Sequence, residues 1–374
     1  MKSILLSSVA VLGLSSAAYA DAHLGVTLSG DAELGYNDDI LGDNDGFYSE
    51  LDVTIGFTAE LDNGLTASAS IDFEDLADGE GNDGDSYELS LTSDMGGLYY
   101  GDTNFAAQNV WVAAGDMEAD SFSEADGEEA LRGEVMIGGI EAQLSYALSN
   151  ADGTRVGLVR DGDLDQLSLG LAGDFGGVNV VFAYQEESEV VDGAHNGSNG
   201  DFNEGGVMGI SVGTSFAGAD VRLAYATRDD DAGDGSGVGG DSLGIQVAYP
   251  VGPVTATVYY VSEGSDGGDV DDNYGLTLAY EDGPVAVTLD YDNDQGVDKI
   301  GLEGSYDVGN GLVVYAGYLT EDAGDRMYVA GEMDLGSGAS LLVSYADDED
   351  DVDEDEIGAN EYQRGTTVEL SFEF

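Results

Sequence analysis

The 374-residue chain has no cysteine, so neither disulfides nor thiolate metal sites take part in its chemistry. It has three prolines and no polar low-complexity stretch dividing two differently patterned halves, so no linker is predicted and the chain reads as one domain. Basic residues number nine against 77 acidic ones, a net charge of −68, which excludes nucleic acid as a partner. Acidic chains of this kind are usually disordered, but 42% hydrophobic residues and 21 tyrosines are too much order-promoting content for that. Long apolar runs are also missing. The stretch from Ile4 to Leu14 is too short to span a bilayer as a helix. With Lys2 before it and Ala18-Tyr19-Ala20 after it, it predicts an export signal over residues 1–20, cleaved to leave 21–374.

What fills the chain instead is alternation. Val368, Leu370, Phe372 and Phe374 alternate with Thr367, Glu369, Ser371 and Glu373 at the C-terminus. Leu51, Val53, Ile55, Phe57, Ala59 and Leu61 oppose Glu50, Asp52, Thr54, Thr58 and Glu60. After Asp62-Asn63-Gly64 the pattern resumes with Leu65, Ala67, Ala69, Ile71 and Phe73 on the apolar side. Asn-Gly suits a tight hairpin in which both central residues take positive φ. Similar turns recur at Asp174-Phe175-Gly176-Gly177, Pro250-Val251-Gly252-Pro253 and Glu281-Asp282-Gly283-Pro284, and again over 307–311 and 334–338.

Long acidic, glycine-rich segments separate these hairpins at 37–46, 75–85, 186–205, 228–241, 263–272 and 347–361. Short turns at one rim and long loops at the other are the asymmetry of a transmembrane β-barrel. Charges within strands keep to one parity, as at Glu88, Glu141, Arg222, Asp290, Glu303, Glu332, Glu369 and Glu373. Tyr36, Tyr146, Tyr184, Tyr225, Tyr291, Tyr318 and Tyr345 gather near strand ends on the other, where an interfacial ring is buried and its hydroxyl stays wet. The fold class predicted is therefore all-β, a transmembrane antiparallel barrel of sixteen to about twenty strands by pattern. It would close by pairing residues 24–36 with 366–374. Pore-lining acids in such excess predict cation preference.

The chain resembles the general diffusion porins of Gram-negative bacteria, in particular their alphaproteobacterial, Rhodobacter-like branch. The resemblance rests on the opening strand Val26-Thr27-Leu28-Ser29-Gly30-Asp31-Ala32-Glu33-Leu34-Gly35-Tyr36, on Leu98-Tyr99-Tyr100-Gly101-Asp102 and on the terminal Phe374. It implies an outer-membrane, sixteen-stranded homotrimer that passively conducts small hydrophilic solutes, surrounded by lipid and lipopolysaccharide. Phe374 would be the signal read by the barrel assembly machinery. It also implies a third outer loop, here residues 103–131, folded inward to narrow the pore. Phe105, Ala106, Ala107, Val110, Trp111, Val112 and Ala113 would then pack on the wall, while Asp116, Glu118, Asp120, Glu124 and Asp126 present carboxylates to the lumen. Arg132, Arg222, Lys299 and Arg326, all on the polar parity, would form the opposing basic ladder, unless each pairs with a neighbour such as Glu134, Asp220 or Asp298. An ordinary solvated outer loop is the alternative for 103–131.

Two sites tempt and are weighed against. Gly209-Ile210-Ser211-Val212-Gly213 and Gly240-Asp241-Ser242-Leu243-Gly244 match G-x-S-x-G, but that signature needs a strand–turn–helix context, and both serines lie in alternating strands of a chain with 58 glycines. The only histidines are His23 and His195, in positions unsuited to a general base, so no enzyme is expected. Nine of the ten residues 347–356 are acidic, and Asp347, Asp348, Asp350 and Asp351 offer the oxygen chemistry that Ca²⁺ takes. No cofactor is required by the reading. Rival readings are a calcium-binding secreted or surface β-protein and a substrate-specific outer-membrane channel.

Overall fold

The computed structural model describes residues 24–40, 44–74, 76, 86–124, 129–149, 163–187, 205–229, 240–265, 270–321, 324–348 and 356–374, with the backbone alone for 40, 44–45, 148–149, 163–165 and 356. The leader segment 1–20 and both histidines lie outside them. Among the described residues no helix is long and apolar enough to cross a membrane.

In chain order the strands are β1 Leu24–Ile40, β2 Asn44–Glu60, β3 Thr66–Phe73, β4 Ser86–Ser93, β5 Gly96–Gly101, β6 Ala130–Ile137, β7 Ile140–Ser149 and β8 Asp163–Asp174. They continue with β9 Val178–Gln185, β10 Val207–Phe216, β11 Ala219–Arg228, β12 Gly240–Val251, β13 Val254–Ser265, β14 Asn273–Asp282 and β15 Val285–Asp294. The series ends with β16 Val297–Gly309, β17 Leu312–Thr320, β18 Asp325–Gly336, β19 Ala339–Asp348, the two-residue β20 Glu356–Ile357 and β21 Tyr362–Gln363, and β22 Gly365–Glu373. Each of β1 to β18 pairs antiparallel with the next, β19 pairs with β22, and β22 returns to β1, giving a closed barrel of 20 strands. The count read from the pattern is the one realised; the sixteen implied by the resemblance is not.

Closure runs from Asp31↔Glu373 to Asn37↔Thr367, and Gly30 and Phe374 exchange both backbone hydrogen bonds at 2.9 Å. This is the pairing expected of the two terminal strands. Nothing of the ring is left as a free edge, the condition for a sheet in hydrocarbon.

The alternation sorts outside from inside. Leu34, Ile210, Leu223, Ile245, Val258, Leu289, Leu302, Val329, Val343 and Val368 are all exposed on the outer parity, which in water would be an untenable apolar surface and in lipid is the required one. Tyr184, Tyr225, Tyr260, Tyr274, Tyr318 and Tyr345 ring one end of that band. Phe175, Phe216, Tyr249, Tyr306 and Phe374 ring the other, a second aromatic belt in which phenylalanine joins tyrosine.

All but one of the two-residue turns share the rim of the second belt; Gln295-Gly296, between β15 and β16, lies at the opposite rim. At Gly138-Gly139 both residues are left-handed, with φ of 61° and 87°, the pair of positive angles that lets a two-residue loop follow the strand twist. The Asn63-Gly64 turn departs from expectation. Only Gly64 has positive φ, 81°, while the Asn63 side-chain oxygen accepts the Leu65 N–H at 3.3 Å and Leu61 N–H reaches Leu65 O at 2.7 Å. Asparagine here closes a wider turn by its side chain.

Removing Phe374 takes away the backbone partner of Gly30 together with an aromatic at the membrane boundary. The deletion is expected to lower the amount of folded, heat-modifiable protein in outer-membrane fractions, while the barrels that do insert behave as wild type. Normal membrane levels would refute this role for the residue.

Candidate functional site

The connection between β5 and β6 turns into the barrel instead of standing above it. It carries helix α1, Ala106–Val110, and a 3₁₀ turn, Glu118–Asp120. The first N–H groups of a helix have no partner of their own, and Phe105, which precedes α1, supplies no side-chain cap. The wall does so instead: Ala106 N–H donates to Ser145 Oγ and Ala107 N–H to Ser168 Oγ, each at 2.8 Å. Further along, Asn109 Nδ2 donates to Gln143 Oε1 at 2.9 Å, Ala119 N–H to Ser242 Oγ at 2.9 Å and Ser123 N–H to Gln185 Oε1 at 2.7 Å. Asn273 Nδ2 closes the series on Asp116 O at 3.2 Å. Strands β7, β8, β9, β12 and β14 thus each lend a polar side chain to a loop that would otherwise bury its backbone unsatisfied.

Apolar contacts complete the seat. Ala107, Val110 and Phe122 pack with Val181, Ala183 and Val207 of the inner wall, and Ala114, Met117 and Ala119 with Ala224, Ala226 and Val261. At three wall positions the residue is glycine because the loop needs the volume. A Cβ at Gly170 would collide with Ala106 O, one at Gly209 with the Trp111 ring, and one at Gly244 with Ala114 O. This accounts for the two G-x-S-x-G matches. Gly209 and Gly244 make room, Ser242 accepts from the loop, and Ser211 accepts from Arg222 Nη1 at 3.1 Å. Phe105, Ala106, Ala107, Val110, Trp111 and Ala113 pack as expected; Val112 does not and is 41% exposed.

Of the expected loop carboxylates, Asp116, Glu118 and Glu124 are exposed, and Asp126 lies outside the described residues. Asp120 is turned back into its own loop, where Oδ2 accepts Trp111 Nε1–H at 2.7 Å and the indole lies 5.5 Å from the Phe122 ring. Burial pushes its carboxyl up to about 6, against the pull of the Trp111 hydrogen bond. Asp116 and Glu118 meet Asp294 of β15, one oxygen from each lying within 4.8 Å of the others. These three could hold a largely hydrated divalent cation. They are fewer oxygens than a Ca²⁺ site takes, and Asp294 already binds Lys299 Nζ at 2.8 Å.

The four basic residues do not form a ladder. Arg132, 8% exposed, fixes the root of the loop, with Nη2 on Thr103 Oγ1 at 3.1 Å, Nη1 on Gln143 Oε1 at 3.2 Å and on Glu134 at 3.3 Å, and its guanidinium 4.2 Å from the Tyr99 ring centroid. Arg222 lies on β11, among the strands the loop lines. Only Lys299 and Arg326, two strands apart, border one recess, of about 300 Å³, together with Asp290, Asp292, Glu303 and Glu321. Arg326 pairs with Glu321 and, through Nε, with Asp348 at 3.3 Å. Asp220 and Asp298 are not the partners: Asp220 accepts from Ser215 and Asp298 from Tyr291 and Asn293.

Asp347 and Asp348 do not converge on a metal. They are consecutive residues of β19, so they point to opposite faces, and Asp348 is spent on Arg326. Asp350 and Asp351 lie outside the described residues.

The wall made by β22 and β1 to β4 is acidic rather than basic. Asp31 sits directly opposite Asp52, and Glu33 opposite Glu50, with Glu369 and Glu373 on one side and Asp72 and Glu88 on the other. Tyr48 donates to Glu369, and Thr54 Oγ1 to Asp72 at 2.5 Å. Like charges directly across a ladder are destabilising, so this placement works against stability.

Residues 7–353 match the model of the family described as Gram-negative porin. Among solved structures, two variants of the porin of Rhodopseudomonas blastica align over 93% of this chain and 100% of their own. They are 17% and 18% identical, with TM-scores of 0.42 and 0.41. No curated protein sequence matches the chain.

If glycine at 209 exists to admit the Trp111 ring, Gly209→Leu unseats the loop, since overpacking costs about 1–3 kcal/mol. A glutamate-specific protease should then cut at Glu118 or Glu124 in detergent about tenfold faster or more than in wild type. Equal cleavage of the two proteins would mean that the loop is held elsewhere.

Proposed function

Taking as premise that the chain belongs to the Gram-negative porin family, channels of the outer membrane, we propose that it is a general diffusion porin with cation preference. It passes small hydrophilic solutes and ions by size and charge, without catalysis, and works as a homotrimer embedded among lipid and lipopolysaccharide after insertion by the barrel assembly machinery. The observation that carries the charge preference is the pairing of Asp31 with Asp52 and of Glu33 with Glu50 on the lumen side of adjacent strands. An arrangement that costs stability and faces the pore is explained by the potential it makes there, which enriches cations and repels anions. The basic groups offset it little, because Arg132, Lys299 and Arg326 are each engaged by a carboxylate. A catalytic role for Ser211 or Ser242 has no support, since both are wall residues with structural partners. Divalent cations act in this reading as screening ions and not as cofactors.

Purified protein in planar bilayers is expected to give closures in groups of three equal steps and a reversal potential favouring potassium over chloride at neutral pH. Anion preference would overturn the charge assignment, and the absence of any channel the whole reading. Because the Asp120 carboxyl is raised from its ordinary 3.8 to about 6 by burial, it is ionised at neutral pH and gains its proton as pH falls through that value. Cation preference should therefore decline from pH 8 to pH 5, and Asp120→Asn should flatten the part of the decline near pH 6. Chelation with EDTA is expected to leave conductance unchanged; a large change would assign a structural metal.

A further inference from the structure

A second segment enters the barrel, and it is not the one the family resemblance points to. Between β19 and β22 the short hairpin of β20 and β21 pairs Ile357 with Tyr362, and both side chains are buried, at 0% and 5% exposure. What buries them is the inner wall. Ile357 and Tyr362 cluster with Tyr328, Ala330 and Ala346, flanked by Tyr315, Leu319 and Leu342, all on the lumen parity of β17, β18 and β19. The Tyr362 ring centroid lies 4.8 Å from that of Tyr328 and 6.5 Å from that of Tyr315.

The hairpin reaches well below the rim. Its tip residue Ala359 donates its N–H to Glu303 Oε1 at 3.1 Å, and Tyr328 donates its hydroxyl to the same oxygen at 2.8 Å. Glu303 pairs with Gly317, which pairs in turn with Tyr328, three residues in from the outer ends of β17 and β18, so the tip hangs inside the barrel below its outer rim. The turn is shaped for close approach: Gly358 has φ 81°, and a Cβ there would collide with the Tyr328 ring. The exit is fixed as well. Arg364 Nε pairs with Asp39 Oδ2 at 3.0 Å, Asn37 Nδ2 donates to Arg364 O at 2.8 Å, and Thr366 N–H donates to Asp38 Oδ1 at 2.6 Å.

An apolar patch on the inside of a water-filled barrel is costly to leave wet, and this hairpin is the piece of the chain that covers it. We propose that residues 356–363 form a second constriction element, seated on β16–β19 across the lumen from part of the β5–β6 loop. The channel then runs between two inserted segments. Asn360, Glu361 and Gln363, exposed on the hairpin, face the permeating solute together with the recess of Lys299, Arg326, Asp290 and Asp292, and set its size limit jointly with the first loop. This rests on the channel reading above.

The natural absence of cysteine makes the test clean. Asn360→Cys should lose conductance when a cationic methanethiosulfonate is added, whereas wild type should not respond. Replacing 357–362 by a Gly-Ser linker should raise single-channel conductance by roughly twofold, since conductance follows the open pore cross-section, and should admit larger sugars in liposome swelling. Gly358→Val should act in the same direction. Wild-type channels combined with no labelling response and unchanged conductance and sugar limit in both variants would overturn the second constriction. Failure of the wild type to conduct would overturn the channel reading instead. Heat-modifiable migration identifies the variants whose barrel is intact, and the labelling arm decides the matter if the deletion does not fold.

Discussion

In hydrocarbon an unpaired backbone N–H or C=O costs several kcal/mol and no water is available to relieve it. The ladder of this protein must therefore close on itself, and the contact of β22 with β1 is the condition on which everything else stands. Once the ring is closed, the period-2 alternation has only one solution, with aliphatics to the lipid and charge to the interior. The excess of acid over base, which would unfold a small soluble domain by self-repulsion, is then tolerated because it faces water and ions.

Closure also explains where the compact core is. A barrel of 20 strands is too wide for its wall side chains to meet across the middle, so the buried apolar residues are found where a chain segment has been laid against the inner wall. The clusters around Val110, Met117 and Ile357 are all of this kind. Where the inserted backbone comes closest the wall position is glycine, as at Gly170 and Gly244, and where it brings N–H groups the wall supplies acceptors such as Ser145, Ser168, Ser242 and Gln185. Stability and pore geometry are therefore set by the same residues.

The barrel was legible in the sequence because alternation, tight turns and terminal strands are local features that survive without knowledge of neighbours. So was the inward course of residues 103–131, through the apolar run Phe105–Trp111 in an otherwise acidic chain. The side-chain partners were not legible. Asp120 reads like its neighbours but hydrogen-bonds Trp111, and Arg132 reads as a pore residue but anchors Thr103. Both outcomes depend on how the loop folds back on itself and on the wall. The second inserted hairpin was masked by the acidic stretch before it, although Ile357 and Tyr362 within that loop, and Tyr315, Leu319 and Leu342 on a parity otherwise rich in acids, are signals that could have found it. The four basic residues share a parity but are spread over β6, β11, β16 and β18, and parity fixes the face of a strand without gathering side chains from distant strands.

Trp111 is the only tryptophan in the chain, and its indole is held between an Asp120 hydrogen bond, the Phe122 ring and the bare backbone at Gly209. The protein thus carries a built-in optical reporter at its first constriction. Its fluorescence follows whether that loop is seated on the wall, and no dye or added label is needed to read it.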